Sequence, residues 1–480
     1  MLFFLLKSIS FLFILSFDVE FGVGALTIIS KNDSGLSKTY FVNDLQHYLP
    51  ADKYNVNEVI GNDIISKKKD KLKPFHLDQV MIKIRSTFLP LGYPEKIPPG
   101  YLRFSIWSWV QDLTTQLRGI IATQRVLEGV GVGREGATAL SASLNFIVRD
   151  GCGMASSLFF TAVTSSKFRA DVKRWRMFAD VVNDIGITLE VAGTLVPNIL
   201  FLPMICAGNI CKAMCGVAAG ACGSAINLYW SSGTDISDIN AKFGAQHTVT
   251  GSLGLIFAAI FARSSSTLPS SVLWTIYIVL TILHIFANMQ CMKLIEFDYL
   301  NTCRSSIVAS QFFTNKEIGT PGSISRTESL YFLPQRRLKT MLYKIRMGVS
   351  FDKVAKTKGV RTMVDTLIEN RYALSLGNNT LNGKKRFIFV LLCSNATGKD
   401  KIRAYLHAVL LEKNLSKKNV KKKGKLLVLQ DEAVIIESVE KYTAQQMEIM
   451  WPDFEKKASI SGWNLSKTEL QTEGCNIMLE

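Results

Sequence analysis

The chain has 480 residues, enough for two or three domains at roughly 100 to 200 residues each, with Lys+Arg 56 against Asp+Glu 39 and a net charge of +17. Hydrophobic residues make up 48% and charged ones 20%, with a mean hydropathy of +0.18. A disordered chain and a small stapled scaffold are both excluded.

Residues 1–30 form an apolar signal- or anchor-like segment broken only by Lys7, Asp18 and Glu20. Without Arg, it does not read as a transit peptide. A polar linker region, 31–87, follows, and the Pro/Gly cluster from Leu89 to Gly100 marks the entry to a helical membrane domain, 88–313. There Ile106, Trp109, Val110, Leu113, Leu117, Ile120 and Ile121 recur at helical spacing, with Gln111, Asp112, Thr115 and Arg118 on the other side. Ala137–Val148 and Gly151–Val163 are each too short to cross a bilayer core. Their joint, Arg149-Asp150-Gly151-Cys152-Gly153, suggests a broken or re-entrant helix around a polar site, or a salt-bridged kink.

The stretch Val172–Glu190 is amphipathic: Trp175, Phe178, Val182, Ile185 and Leu189 lie opposite Arg176, Asp180, Asn183 and Asp184. Asp180 and Asp184 stand one turn apart and repel, so Arg176 or Lys212 is the expected partner, as structural pairing or as a cation, proton or substrate site. From Gly186 to Met292 the charges are Glu190, Lys212, Asp235, Asp238, Lys242 and Arg263 alone. Four membrane segments are expected there: Ile187–Cys206, kinked by Pro197 and Pro203; Gly208–Trp230, with Gly216 and Gly220 permitting close packing; Gly244–Ala262; and Ser271–Met292. His284 in the fourth is a hydrogen-bonded bundle residue or a proton-linked one. Lys167, Arg169, Lys173, Arg174 and Arg176 before these segments, and Lys293, Arg304, Arg336 and Arg337 after them, put both ends on the cytosolic side if all four segments cross.

A linker, 314–345, leads to a C-terminal α+β domain, 346–480, with a buried strand at Arg386–Cys393 and helices at Lys399–Glu412 and Asp431–Phe454. The fold class is therefore mostly α: a polytopic helical membrane domain followed by a small C-terminal α+β domain. Between Lys384 and Lys425 thirteen Lys/Arg face only Asp400 and Glu412. Such a block is a solvated face or a surface for anionic lipid headgroups, with Lys417, Lys418, Lys421, Lys422 and Lys423 the freest cations. Nucleic acid is not an expected partner, because no binding signature accompanies the charge.

Motifs for an enzyme fail on context. Gly131-x-Gly133-x2-Gly136 lacks a βαβ unit, and Ser394-Asn395-Ala396-Thr397-Gly398-Lys399 has Cys393 where a P-loop needs Gly and Asp400 where it needs Ser or Thr. The histidines suggest no nucleophile and base pair, and the cysteines suggest no disulfide framework or metal site.

A set of motifs carries a resemblance: Phe88-Leu89-Pro90-x-Gly92-Tyr93-Pro94; Ala122-Thr123-Gln124 with Gly129-x-Gly131-x-Gly133; Asp150-Gly151-x-Gly153; Lys173-x-Trp175-Arg176 with Ala179-Asp180-x2-Asn183-Asp184; Asp238-x2-Ala241-Lys242-x-Gly244-x-Gln246; and Ala404-Tyr405-Leu406-His407-Ala408. In that order they resemble the root UVB sensitive family, departing from it at Gly223-Ser224 and Thr234-Asp235. The resemblance implies a membrane protein of vitamin B6 (pyridoxal phosphate) homeostasis, ultraviolet-B sensing and auxin transport, with pyridoxal phosphate as a ligand and another family member as a partner. It implies no known reaction.

The expectation is a non-enzymatic, multi-pass protein of an endomembrane or plastid membrane. Asp150, Arg176, Asp180, Asn183, Asp184, Lys212, Asp238 and Lys242 are expected to form one internal ligand site, because charges at bilayer depth persist when paired or lining a cavity. The alternative is a transporter of an anionic or zwitterionic metabolite, an auxin-like acid or a B6 vitamer, with the break at Asp150–Gly153 as its discontinuous helix.

Overall fold

The computed structural model describes residues 26–31, 37–42, 77–132, 139–265, 268–332, 343–355, 360–378, 386–422 and 429–478. Strands β1 (Leu26–Lys31) and β2 (Ser37–Val42) pair as an antiparallel hairpin. The hairpin belongs to the unit Met1–Leu77, and Asp78–Glu480 is a second compact unit. Most of the expected leader, residues 1–25, lies outside the described residues.

In the larger unit, α1 (Leu77–Phe88) leads into six long helices: α2 (Tyr101–Val130), α3 (Ala139–Thr164), α4 (Val172–Ala192), α5 (Asn198–Trp230), α6 (Ile236–Ser265) and α7 (Ser270–Leu294). Their directions follow from side-chain contacts. Cys291 and Ser270 of α7 meet Phe104 and Arg125 of α2, so this pair is antiparallel. Gln111 and Arg118 of α2 meet Asp180 and Asp184 of α4, so these two run together. Ala179 and Glu190 of α4 meet Ala218 and Lys212 of α5 in antiparallel order. With α3 parallel to α5 and α6 parallel to α2, successive helices alternate in direction.

Four of them are long and apolar enough to cross a membrane, over Ala139–Lys167, Asn198–Trp230, Ile236–Phe261 and Ser270–Leu294. Leu158, Phe159, Ile199, Leu255 and Ile282 point outward from them, as side chains facing lipid do. The more polar α2 and α4 bury their polar faces against α7 and one another.

Two expected breaks are absent. The first, at Arg149 to Gly153, lies inside the continuous α3. A helical Gly costs only about 1 kcal/mol, Arg149 and Asp150 pair at 2.9 Å, and a Cβ on Gly153 would stand 2.5 Å from the Asn209 amide nitrogen. Gly153 serves packing against α5, while Gly151 lies on the exposed side of the same unbroken helix. The second concerns Ile187–Cys206 and Gly208–Trp230. Ile187 belongs to α4, and α5 runs unbroken with Pro203 inside it and Pro197 at its N-cap. Gly208 is where α4 and α5 touch: a Cβ there would lie 2.8 Å from the Gly186 carbonyl oxygen, and one on Gly186 would lie 2.6 Å from that of Gly208. The close packing expected at Gly216 and Gly220 is found here instead, since among the described residues no other element comes within 4 Å of an added Cβ at either.

Beyond α7 come β3 (Leu300–Asn301), α8 (Thr302–Asn315), α9 (Pro321–Thr327), β4 (Tyr343–Met347), α10 (Phe351–Ala355), α11 (Val360–Asn370), β5 (Tyr372–Asn378), β6 (Arg386–Leu392), α12 (Gly398–Lys422), α13 (Leu429–Ile460) and β7 (Thr468–Glu469). Central β6 pairs parallel with β4 and antiparallel with β5, and β3 pairs parallel with β7. Because side chains alternate along a strand, Ile388, Val390 and Leu392 enter a core with Ile402, Leu406, Ile307, Phe312 and Ile324, while Phe387, Phe389 and Leu391 enter another. Thus α8 and α9 pack with the C-terminal elements. The side chains of Lys417, Lys418, Lys421 and Lys422, and all of Lys423, lie outside the described residues.

Candidate functional site

A buried ionic column runs along α4. Asp180 and Asp184 are buried one turn apart, and each has a cation beside it. Asp180 pairs with Arg176 one turn earlier and accepts from Gln111 Nε2 at 2.5 Å. Asp184 pairs with Arg118 of α2, whose side chain is fully buried, and lies 3.1 Å from His284 Nδ1 of α7. Below it, Thr188 and Tyr277 share a hydroxyl hydrogen bond of 2.6 Å.

Two guanidiniums balance two carboxylates, so the column is formally neutral. It is nevertheless costly to bury, since desolvating ions commonly outweighs their attraction. Some polar capacity is also unused: Arg118 Nη2 and both amide atoms of Asn288, fully buried one turn beyond His284, have no hydrogen-bond partner among the described residues.

The other expected site residues fall elsewhere. Lys212 pairs with Glu190 at 2.5 Å, not with Asp180 or Asp184. Asp150 binds its neighbour Arg149, with Asn209 Nδ2 at 3.4 Å. Asn183 is half-buried and makes no side-chain hydrogen bond among the described residues. Asp238 and Lys242 pair at 3.3 Å and clamp the end of α1 and the loop after it: Leu91 N donates to Asp238 (2.8 Å), Lys242 to the Ser86 carbonyl (2.6 Å), and Gln246 to the Phe88 carbonyl (2.8 Å). The structure thus brings Arg176, Asp180 and Asp184 together and leaves Asp150, Lys212, Asp238 and Lys242 in separate pairs. Sequence reasoning placed Gln111 and Arg118 on one polar face but not against the two aspartates; nothing in the local pattern names a partner on another helix.

A second buried cluster joins the start of α4 to the segment after α7. Lys173 Nζ donates to Ser325 Oγ (2.6 Å) and lies 3.4 Å from Glu328, which Arg304 also contacts at 3.3 Å. Asn301 Nδ2 donates to Asp171 (3.2 Å) and to Glu328 (3.3 Å). Burial pushes the Lys173 ammonium down to about 8, against the pull of Glu328. Burial acts upward on Glu328, but Arg304 and Lys173 outweigh it and hold that carboxyl below its ordinary value. Asp171 is pushed up by burial despite Arg174.

A family model described as "Vitamin B6 photo-protection and homoeostasis domain" matches residues 75–316, and one described as "Root UVB sensitive protein, C-terminal" matches 318–474. The chain belongs to the root UVB sensitive family. Protein root UVB sensitive 3 of Arabidopsis thaliana is 27% identical over 347 residues, covering 71% of this chain and 77% of the relative. RUS family member 1 of Dictyostelium discoideum is 31% identical over 273 residues, covering 56% and 51%. Protein root UVB sensitive 5 of Arabidopsis thaliana is 23% identical over 459 residues, covering 92% and 85%. No solved structure matches. Two motifs that mark the root UVB sensitive resemblance, Phe88–Pro94 and Asp238–Gln246, bind each other in the clamp.

Proposed function

We propose that this root UVB sensitive family member is a non-enzymatic multi-pass membrane protein of vitamin B6 or related small-molecule homeostasis, and that the column on α2, α4 and α7 is its working site. One observation carries the reading: Arg118 is fully buried between α2, α4 and α7, with a guanidinium nitrogen that has no hydrogen-bond partner among the described residues, beside Asp184 and His284. A pair kept for stability alone is poorly explained, because apolar residues of similar volume usually do as well. Ionisable groups at bilayer depth mark functional positions by default.

Pyridoxal phosphate itself does not fit these residues. Arg118 and Arg176 are each matched by a carboxylate, so a phosphate would have to displace Asp184 or Asp180. Lys173, the buried amine suited to an aldehyde, is held by Ser325 and Glu328. A neutral or zwitterionic vitamer meets a lower electrostatic cost. The transport reading drew on a discontinuous helix at Asp150–Gly153, and the continuity of α3 removes that ground.

The test is binding of pyridoxine, pyridoxal, pyridoxamine and pyridoxal phosphate to the purified chain in lipid nanodiscs by titration calorimetry. Saturable binding of a non-phosphorylated vitamer is expected. No binding by any of the four would overturn the B6 reading of the site.

A further inference from the structure

We propose that Cys152 of α3 and Cys206 of α5 form a modification site, a thiol pair that hydrogen peroxide converts reversibly to a disulfide. The proposal does not rest on the vitamer reading.

Helix register places the two residues opposite each other. Phe146 of α3 packs in one cluster with Phe201 of α5, and Phe160 packs in another with Cys215. Both pairs are 55 positions apart, and Gly153 meets Asn209 at 56; Cys152 and Cys206, at 54, fall on the same line. Asn209 Nδ2 donates to the Arg149 carbonyl at 3.0 Å, which pins this level of the interface. There the two thiols meet in a side-chain hydrogen bond. A disulfide needs Cα atoms about 4.4–6.8 Å apart, and Gly153 permits that approach: a Cβ on it would stand 2.5 Å from the Asn209 amide nitrogen. Both thiols are half-buried, so a small neutral oxidant reaches them.

The chemistry balances with peroxide as the oxidant. One thiolate sulfur attacks a peroxide oxygen, the O–O bond breaks and hydroxide leaves, giving a sulfenic acid. The second sulfur then attacks the first: the S–S bond forms, the S–O bond breaks, and the thiol protons end in water. Two thiols and one peroxide give one disulfide and two waters, with two electrons passing from sulfur to oxygen.

The placement gives the bridge a consequence. Gly153, Phe160 and Thr164 are the buried residues of α3, so this helix is held by a narrow contact. A bridge at Cys152 fixes it to α5 and closes a loop that contains the whole of α4, with Asp180 and Asp184. Closing a loop of that kind constrains the unfolded chain and raises stability.

The experiment treats the full chain in nanodiscs with hydrogen peroxide, alkylates the remaining thiols and maps linked peptides by mass spectrometry. A Cys152–Cys206 peptide, lighter by two hydrogens than its reduced halves, is expected. Free thiols should fall by two from nine, and dithiothreitol should restore them. Cys152→Ala and Cys206→Ala should each remove the linked peptide. The oxidised chain should melt at a higher temperature than the reduced one, and both variants should lose that difference. Peroxide treatment that leaves both thiols free for alkylation, carries either to an unlinked sulfinic acid, or joins either to a different cysteine overturns the proposal.

Discussion

Arg118 and Asp184, 66 positions apart in the chain, meet as a buried ion pair near the middle of the helical bundle. Each is the other's counter-ion. Arg118→Met or Asp184→Leu alone should therefore destabilise by about 3–5 kcal/mol, because an uncompensated charge stays buried. The double substitution should recover most of that loss. Thermal unfolding of both single variants and the double variant in detergent checks this. Additive losses would show that the pair does not act as a unit.

The backbone approach of Gly186 and Gly208 makes a second test. A methyl group at Gly186 would lie 2.6 Å from a backbone oxygen, which cannot swing aside as a side chain does. Gly186→Ala should cost about 1–3 kcal/mol through forced separation of α4 and α5. Gly216→Ala, with open space around it, should be neutral or stabilise by about 0.5–1 kcal/mol. Equal melting temperatures for the two variants would contradict this packing.

Much of this architecture was legible in the residues, and the failures have physical causes. Apolar runs in α5, α6 and α7 are long enough to declare themselves, and Arg176 with Asp180 is a local i,i+4 pair that spacing alone suggests. Gly153 and Gly208 look like breakers in sequence because glycine weakens an isolated helix. Both are contact points, and that depends on a neighbouring helix invisible to local pattern. The same limit hid Arg118: its polarity was plain, but its partner lies on α4. Asp238 and Lys242 looked like intramembrane charges and instead clamp a loop, because the backbone groups of Ser86 and Leu91 are what they meet.

The junction cluster predicts a pH dependence. Lys173 drops from 10.5 to about 8 on folding, so the unfolded chain binds more protons between those values and stability rises with pH across that window. The contribution is lost as pH falls through about 8. Lys173→Met should abolish this rise, seen as a smaller melting-temperature gain from pH 7.5 to 9.5 than in the unsubstituted chain. Glu328 acts oppositely placed: held below 4.5, it contributes above that value and loses its contribution as pH falls further. Identical alkaline profiles for the two proteins would show that Lys173 is not buried charged in this cluster.

Asp238→Ala removes the acceptor for Leu91 N and the partner of Lys242. Faster hydrogen exchange is expected at residues 86–93, with α4 unchanged, and a stability loss of about 1 kcal/mol. Exchange that quickens along α4 as well would mean that the clamp and the column are one structure.

The most direct measurement of whether the column is a working site sets Asp184→Asn beside Asp238→Asn in nanodiscs, reading vitamer affinity and melting temperature on the same samples. Asparagine keeps the shape and a hydrogen-bonding carbonyl in both. The expected result is at least a tenfold loss of affinity, about 1.4 kcal/mol, for Asp184→Asn, with affinity unchanged for Asp238→Asn. Equal affinities in the two variants, with only the melting temperature falling in Asp184→Asn, would make the Arg118–Asp184–His284 cluster a structural element and nothing more.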